Sequence, residues 1–368
     1  MKTNANLKQY LKRVFVSIIF WTFCLGLFAI FRYLGIDRMP NITVHTDMGS
    51  LIQQNLVGMF VIGTILGILY ATLDYFFDRY VYQNLSLGLS LVSKTFLYFL
   101  VTVLLLRLFQ IIAEVNGMEL NFQGGWLWWL KDARFVSILL YIIFCSFFFF
   151  LLKIAAERFG KGVFIKMLVG RYRTPKEEER IFMFLDLKDS TTIAERLGHL
   201  AYSQFIQDCF HDLNKTVSKH EAEIYQYVGD EAVLTWPYAK GVSKNNCVHL
   251  FFEFQRQRKS REAQYLRKYG IFPEFKAGLH GGSIMVAEVG FVKRELAYHG
   301  DVINTSARIQ GQCNTYNQHI LLSEKILNDV DLEEFLASKS LGNVQLQGKR
   351  KTVSIHTITQ HKNDVDTA

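Results

Sequence analysis

The chain has 368 residues, 50% of them hydrophobic, with 31 Phe and a formal charge of +8. The length fits two domains, and the modest charge does not describe a nucleic-acid binder. Five cysteines without a CxxC pair exclude a zinc ribbon and a disulfide framework.

The apolar residues crowd into the first 152 positions. Four runs there, Val14–Leu34, Leu56–Phe77, Leu91–Ala113 and Phe135–Leu152, are close to the 20 or so residues that cross a bilayer. The first run is long for a signal peptide and three more follow it, so it is read as a span. Lys2, Lys8, Lys12 and Arg13 precede the first run, and Lys153, Arg158, Lys161, Lys166, Arg171 and Arg173 follow the fourth. Arg79 and Lys94 flank the second loop. The other two loops carry only Arg38, Lys131 and Arg134. The positive-inside rule therefore predicts both termini in the cytoplasm, with an outer aromatic belt at Trp126, Trp128 and Trp129. The expectation is a multi-pass protein of the inner or plasma membrane, with the lipid bilayer as a partner and no nucleic acid. Asp74 and Arg107 are ionisable residues inside spans but near their ends, where snorkelling accounts for them. Gly58, Gly63 and Gly67 offer a close helix contact.

Residues 156–180 read as a connector. Phe164, Ile165, Leu168 and Val169 fall at helical spacing before Thr174-Pro175. Such a helix fits two roles, lying on the inner membrane surface or linking the spans to the next domain.

Ile181–Leu187 is a short apolar strand carrying Asp186. Ser190, Thr191 or Thr192 caps the next helix, with Thr192 and Glu195 as a capping box. A helix over about 200–220 follows, with Phe205, Ile206, Phe210, Leu213 and Val217 on its core face. Two β-rich runs, Ile224–Val228 and Ala232–Trp236, flank Gly229-Asp230-Glu231, a strong hairpin signal. If the strand and hairpin adjoin, Asp186 and Asp230 meet, and two such acids suit a divalent cation beside a phosphate. The same residues also fit a strand-end acid and a turn acid with no metal. Glu231, next to Asp230 on extended backbone, points the other way and is given no metal role. A charged helix over about 243–269 precedes a strand at Phe275–Leu279. Lys276 lies in that apolar strand and needs a partner. Asn304 and Arg308 share a helix face, and Lys349 precedes a strand at Thr352–Ile358.

The stretches FLDLKDST, YVGDEAVLTW, FKAGLHGG, YHGDVINTSARI and LQGKRK resemble, in order and separation, a class III nucleotidyl cyclase catalytic domain. The resemblance covers roughly half the chain. It implies a ferredoxin-like α+β domain at 181–360; the four apolar runs make 1–155 a four-helix membrane domain, and 361–368 is a short tail. The resemblance implies two Mg²⁺ or Mn²⁺ ions on Asp186 and Asp230, base reading by Lys276 with position 297, ribose orientation by Asn304, charge stabilisation by Arg308, and phosphate binding by Lys349. It also implies a homodimer with shared sites, the metal acids from one chain and the other residues from its partner. ATP, giving cyclic AMP and pyrophosphate, is the expected substrate. Ala297 stands where the family commonly has Asp or Thr, which leaves GTP or a pyrimidine nucleotide as alternatives. Ser283 replaces an Arg that some members carry. An inactive signalling or scaffold dimer is the alternative from another class.

Overall fold

A computed structural model describes residues 2–36, 48–81, 85–115, 133–159, 163–333, 335–346 and 352–360. The chain forms two compact units, Met1–Arg158 and Phe159–Ala368.

The first unit holds four long helices: α1 (Lys2–Ile36), α2 (Met48–Tyr80), α3 (Leu87–Val115) and α4 (Ala133–Phe159). Their apolar cores, Tyr10–Phe31, Val57–Asp78, Leu87–Leu108 and Val136–Ala156, are long and apolar enough to cross a membrane. Their outward surfaces are apolar too, as at Phe23, Phe60, Phe96 and Phe144, the pattern of helices solvated by lipid. The bundle interior is aromatic. Trp21, Tyr70, Tyr98 and Phe150 are buried, and the Tyr70 and Tyr98 rings stack with centroids 3.9 Å apart.

Of the three glycines expected at a close contact, two serve it. A Cβ on Gly63 would lie 2.6 Å from the Cα of Thr22, and one on Gly67 2.6 Å from the Cα of Ile18. Nothing lies within 4 Å of a Cβ on Gly58. Asp74 departs from the snorkelling expectation. It is buried among cations from other helices, with Lys153 at 3.0 Å and Lys94 at 3.5 Å. The aromatic belt and the outer-loop charges Arg38 and Lys131 fall outside the described residues.

The second unit opens with α5 (Val163–Leu168) and then β1 (Lys176–Leu187). The first strand thus begins within the expected connector. Next come α6 (Ser190–Val217), the hairpin β2 (Glu223–Val228) and β3 (Glu231–Pro237), and α7 (Tyr238–Val242). After α8 (Asn246–Lys259) and α9 (Glu262–Tyr269) come β4 (Phe275–Val289), β5 (Glu295–His299) and α10 (Asp301–Thr315). The unit closes with β6 (Ile320–Ser323), α11 (Glu324–Asp329), β7 (Leu336–Val344) and β8 (Val353–Gln360). The helix expected over 243–269 is therefore two, broken at Ser260-Arg261. Gly198 interrupts α6 with φ 73°, where the two expected helices divide.

The sheet order is β2-β3-β1-β4-β6-β8-β7, with β5 on β4. β1 lies antiparallel between β3 and β4. The β2-β3-β1-β4 part, with α6 before the hairpin and α8–α9 after it, is the ferredoxin-like unit. Alternation along β1 assigns the faces. Ile181, Met183, Leu185 and Leu187 pack under α6, α8 and α9 with Phe205, Leu213, Phe251 and Phe254. Phe182 joins Val233, Ile284, Tyr298 and Val302 on the other face, where α10 crosses the sheet. Gly278 permits that crossing, because a Cβ there would lie 2.2 Å from the backbone nitrogen of Gln310.

Candidate active site

The site begins at the end of β1. Asp186 pairs in register with Glu231 of β3 and with Lys276 of β4. Residues directly opposite on neighbouring strands share a face, so the three lie together on the α10 side. The hairpin brings Asp230 to the same end. Its turn needs a left-handed residue, and Gly229 supplies it with φ 63°. Asp230 comes close enough that its charge acts on Asp186.

Burial and the Asp230 charge raise the proton affinity of Asp186, and the Lys276 ammonium opposes them. Gln310 of α10 donates its side-chain amide to the Asp186 carboxylate at 3.1 Å. Glu231 is pushed up to about 7, first by burial and then by Asp186 and Asp230. Its sequence assignment, turned away from the acids, is corrected here. Neighbours along a strand do alternate, but Asp230 lies in the turn before β3, and the cross-strand register sets Glu231 opposite Asp186. Tyr202 of α6 also feels this charge, its hydroxyl pK raised by burial and then by Asp230.

Lys276 lies beside the same acids. The resemblance assigned it to base reading on the far side of a shared site from the acids. Its Nζ instead lies 3.7 Å from Asp186 of its own chain and donates to the Asn314 side chain at 3.0 Å. Lys276 is 7% exposed, and Asp186 is the partner that this cation in an apolar strand needs. Gln310 and Asn314, which complete this cluster, were not singled out from sequence. Their signal is helical spacing: both fall on the sheet-facing side of α10 with Ser306, one and two turns on.

Asn304 and Arg308 do lie on one helix, α10, four residues apart. Val302, Ser306, Ile309 and Gln310 face the sheet. At about 100° per residue, Arg308 points roughly opposite to Gln310 around the helix, away from the acids of its own chain. Ala297 lies on β5 opposite Ala287 of β4 and brings no side-chain hydrogen bond. Ser283 donates to Glu177. Lys349, with Arg350 and Lys351, lies outside the described residues. The expected capping box does not form. Thr192 sits inside α6, whose N-cap is Asp189 with φ 55° and no side-chain cap.

Two carboxylates that repel each other, one half-buried beside a turn, are a donor set suited to a hard divalent cation. Among the described residues no cluster of three or more metal-ligating side chains forms. A bound ion would take its remaining ligands from water and phosphate, as Mg²⁺ habitually does.

The raised acids give a pH prediction. A carboxyl whose pK is higher folded than unfolded holds its proton more tightly in the fold. Its contribution to stability is therefore lost as pH rises from the usual carboxylate range to about 7. Added Mg²⁺ should raise the melting temperature of the cyclase-like half more at pH 8 than at pH 5.5, where protons compete for the same oxygens. Glu231→Gln should flatten the metal-free pH dependence. Melting curves at the two pH values with and without Mg²⁺ check both; an equal or larger shift at pH 5.5 contradicts them.

The sheet, the crossing helix and the paired acids define the class, and the family comparison agrees. The model of the adenylate and guanylate cyclase catalytic domain matches residues 173–360, just over half the chain, and the chain belongs to that family. Among curated relatives, Adenylate cyclase 2 of Rhizobium meliloti (strain 1021) is 36% identical over 203 residues, 55% of this chain and 56% of the relative. Adenylate cyclase of Anabaena cylindrica is 21% identical over 180 residues, 48% of this chain and 36% of the relative. The matches thus span little more than half of these relatives' length, or less. A bacterial light-regulated adenylyl cyclase of solved structure aligns with TM-score 0.52 and 14% identity, over 64% of this chain and 68% of that one. That likeness concerns the fold.

Proposed function

We propose that the chain is a membrane-anchored adenylate cyclase that converts ATP to cyclic AMP and pyrophosphate. The observation that carries the reading is the meeting of Asp186 and Asp230 at one sheet end, with Asn304 and Arg308 on the outer side of the adjacent helix. Relatives bearing the name adenylate cyclase support the same activity.

In this reading Asp186 and Asp230 would hold two Mg²⁺ or Mn²⁺ ions. Bound metal would lower the pK of the ribose 3′-hydroxyl and neutralise triphosphate charge. The 3′-hydroxyl gives its proton to water, its oxygen attacks the α-phosphorus in line, and the bond to the pyrophosphate oxygen breaks. The protein's part is positioning and charge. Lys276 presents its ammonium on the acid side of the site, where it balances Asp186 and meets the phosphates. Asn304 orients the ribose, Arg308 stabilises charge developing on the reacting phosphate, and Lys349 grips the terminal phosphates.

Arg308 points away from its own acids, so the reading requires a homodimer in which each site takes its acids and Lys276 from one chain and its Asn–Arg pair from the partner. The catalytic half would lie in the cytoplasm, and the four helices, besides anchoring it, would pass a signal through the residues before β1.

Ala297 favours a second reading, a cyclase acting on GTP or a pyrimidine nucleotide, because its methyl group recognises no base edge. Incubating the full chain in membranes with ATP, GTP, CTP and UTP separately, with Mn²⁺, decides between them. Preferred conversion of ATP is the expected result. Preference for another nucleotide refutes the ATP assignment, and no cyclic product from any of them points to an inactive scaffold.

A further inference from the structure

The helical unit carries a charge cluster that the cyclase reaction does not use. Arg13 of α1, Asp74 and Asp78 of α2, Lys94 of α3 and Lys153 of α4 meet at one end of the bundle. Arg13 lies 3.1 Å from Asp78, Lys94 2.5 Å from Asp78, and Lys153 3.0 Å from both carboxylates. This is the end where α1 begins and α4 finishes. Each helix contributes at least one member, so the cluster fixes the register of all four.

Among the described residues, three cations face two carboxylates. A net positive charge in a low-dielectric setting calls for a compensating anion. Arg13, Asp78, Lys94 and Lys153 line a cavity of about 230 Å³ that also reaches Leu91 and Phe150. Arg13 and Lys153 remain open to it, with 36% and 23% of their side chains exposed.

A second feature adjoins the first. Between α3 and α4 runs a groove of about 360 Å³, lined by Leu91, Val92, Phe96, Phe99, Ile143 and Phe147 and almost wholly apolar. Leu91 lines both cavities, so the cationic pocket at the bundle end lies next to the apolar groove. Lys94 sits seven residues into α3, roughly 10 Å along the axis. Its stem bridges the depth between headgroup and acyl chain.

We propose that this composite site binds one anionic phospholipid. Its phosphodiester would rest on Arg13 and Lys153 with Lys94 behind them, and one acyl chain would lie in the groove between α3 and α4. A single negative charge completes the cluster, and a zwitterionic lipid supplies none in net. The proposal rests on reading the four helices as membrane spans.

The test uses the full chain purified in mild detergent. Melting is followed while phosphatidylglycerol or phosphatidylcholine of identical acyl composition is titrated into the micelles. The wild-type protein should bind phosphatidylglycerol more tightly by on the order of fivefold, the effect of one basic residue at a membrane surface. Arg13→Gln neutralises the cluster while Asp78 keeps Lys94 and Lys153; it should bring the two lipids to parity. Val92→Trp, at an exposed position in the groove, should weaken both lipids and keep the preference, and it serves if Arg13→Gln does not fold. Equal affinities in the wild type, a preference that survives Arg13→Gln, or unchanged affinity in Val92→Trp overturns the proposal. So does an equal stabilisation by inorganic phosphate in phosphatidylcholine micelles, which marks a free-anion site. A chain recovered in the soluble fraction without detergent sinks the span reading instead.

Discussion

Asp186→Asn is expected to lower nucleotide turnover by at least about 10²–10³-fold, the scale of losing one preorganised charge partner at a reacting phosphate. The amide is isosteric, so the strand and its pairing with Glu231 and Lys276 should persist. What disappears is the negative charge that balances Lys276 at 3.7 Å and that would hold a cation with Asp230. The loss should appear in kcat and resist rescue by excess Mg²⁺. Steady-state rates with far-UV circular dichroism check this. A folded Asp186→Asn protein with wild-type turnover would remove the acid from the site.

The largest effect on stability is expected at Arg180. Its guanidinium is 1% exposed on β1. It donates to Glu178 at 3.0 Å, to Thr235 at 3.1 Å and to Glu223, and it lies 5.1 Å from the centre of the Tyr298 ring. Removing one partner of a buried pair typically costs about 3–5 kcal/mol. Glu178 and Glu223 keep some contact with water, 16% and 22% of their side chains, so the low end applies here. Arg180→Ala should therefore melt the cyclase domain lower by about 10 °C. Arg180→Ala combined with Glu178→Gln and Glu223→Gln should lose less, since fewer charges are stranded. An Arg180→Ala melt within a degree or two of wild type would show the network to be dispensable.

The parts of this architecture that rest on local pattern were legible in the sequence. The four apolar runs, the Gly229-Asp230 turn and the strand ending near Asp186 follow from length, turn chemistry and alternation. What pattern alone left hidden depends on strand register and on contacts far apart in the chain. Glu231 could be placed opposite Asp186 only once β3 was paired with β1. Lys276 was drawn to base reading by resemblance, and only its β4 register set it against Asp186. Gln310 and Asn314 are ordinary helix residues until the sheet lies under them. Asp74 read as a snorkelling acid because its cations come from α3 and α4, 20 and 79 positions away in sequence. The Thr192–Glu195 box failed because the helix starts two residues earlier, at Ser190.

The central claim is that one active site takes its acids from one chain and its guanidinium from a second. Co-expressing Asp186→Ala with Arg308→Ala chains tests it most directly. Each variant alone should be inactive, whereas random pairing gives mixed dimers with one intact site, restoring roughly a quarter of wild-type activity. If the mixed dimers form and no activity returns, the acids and the arginine do not complete one another across two chains.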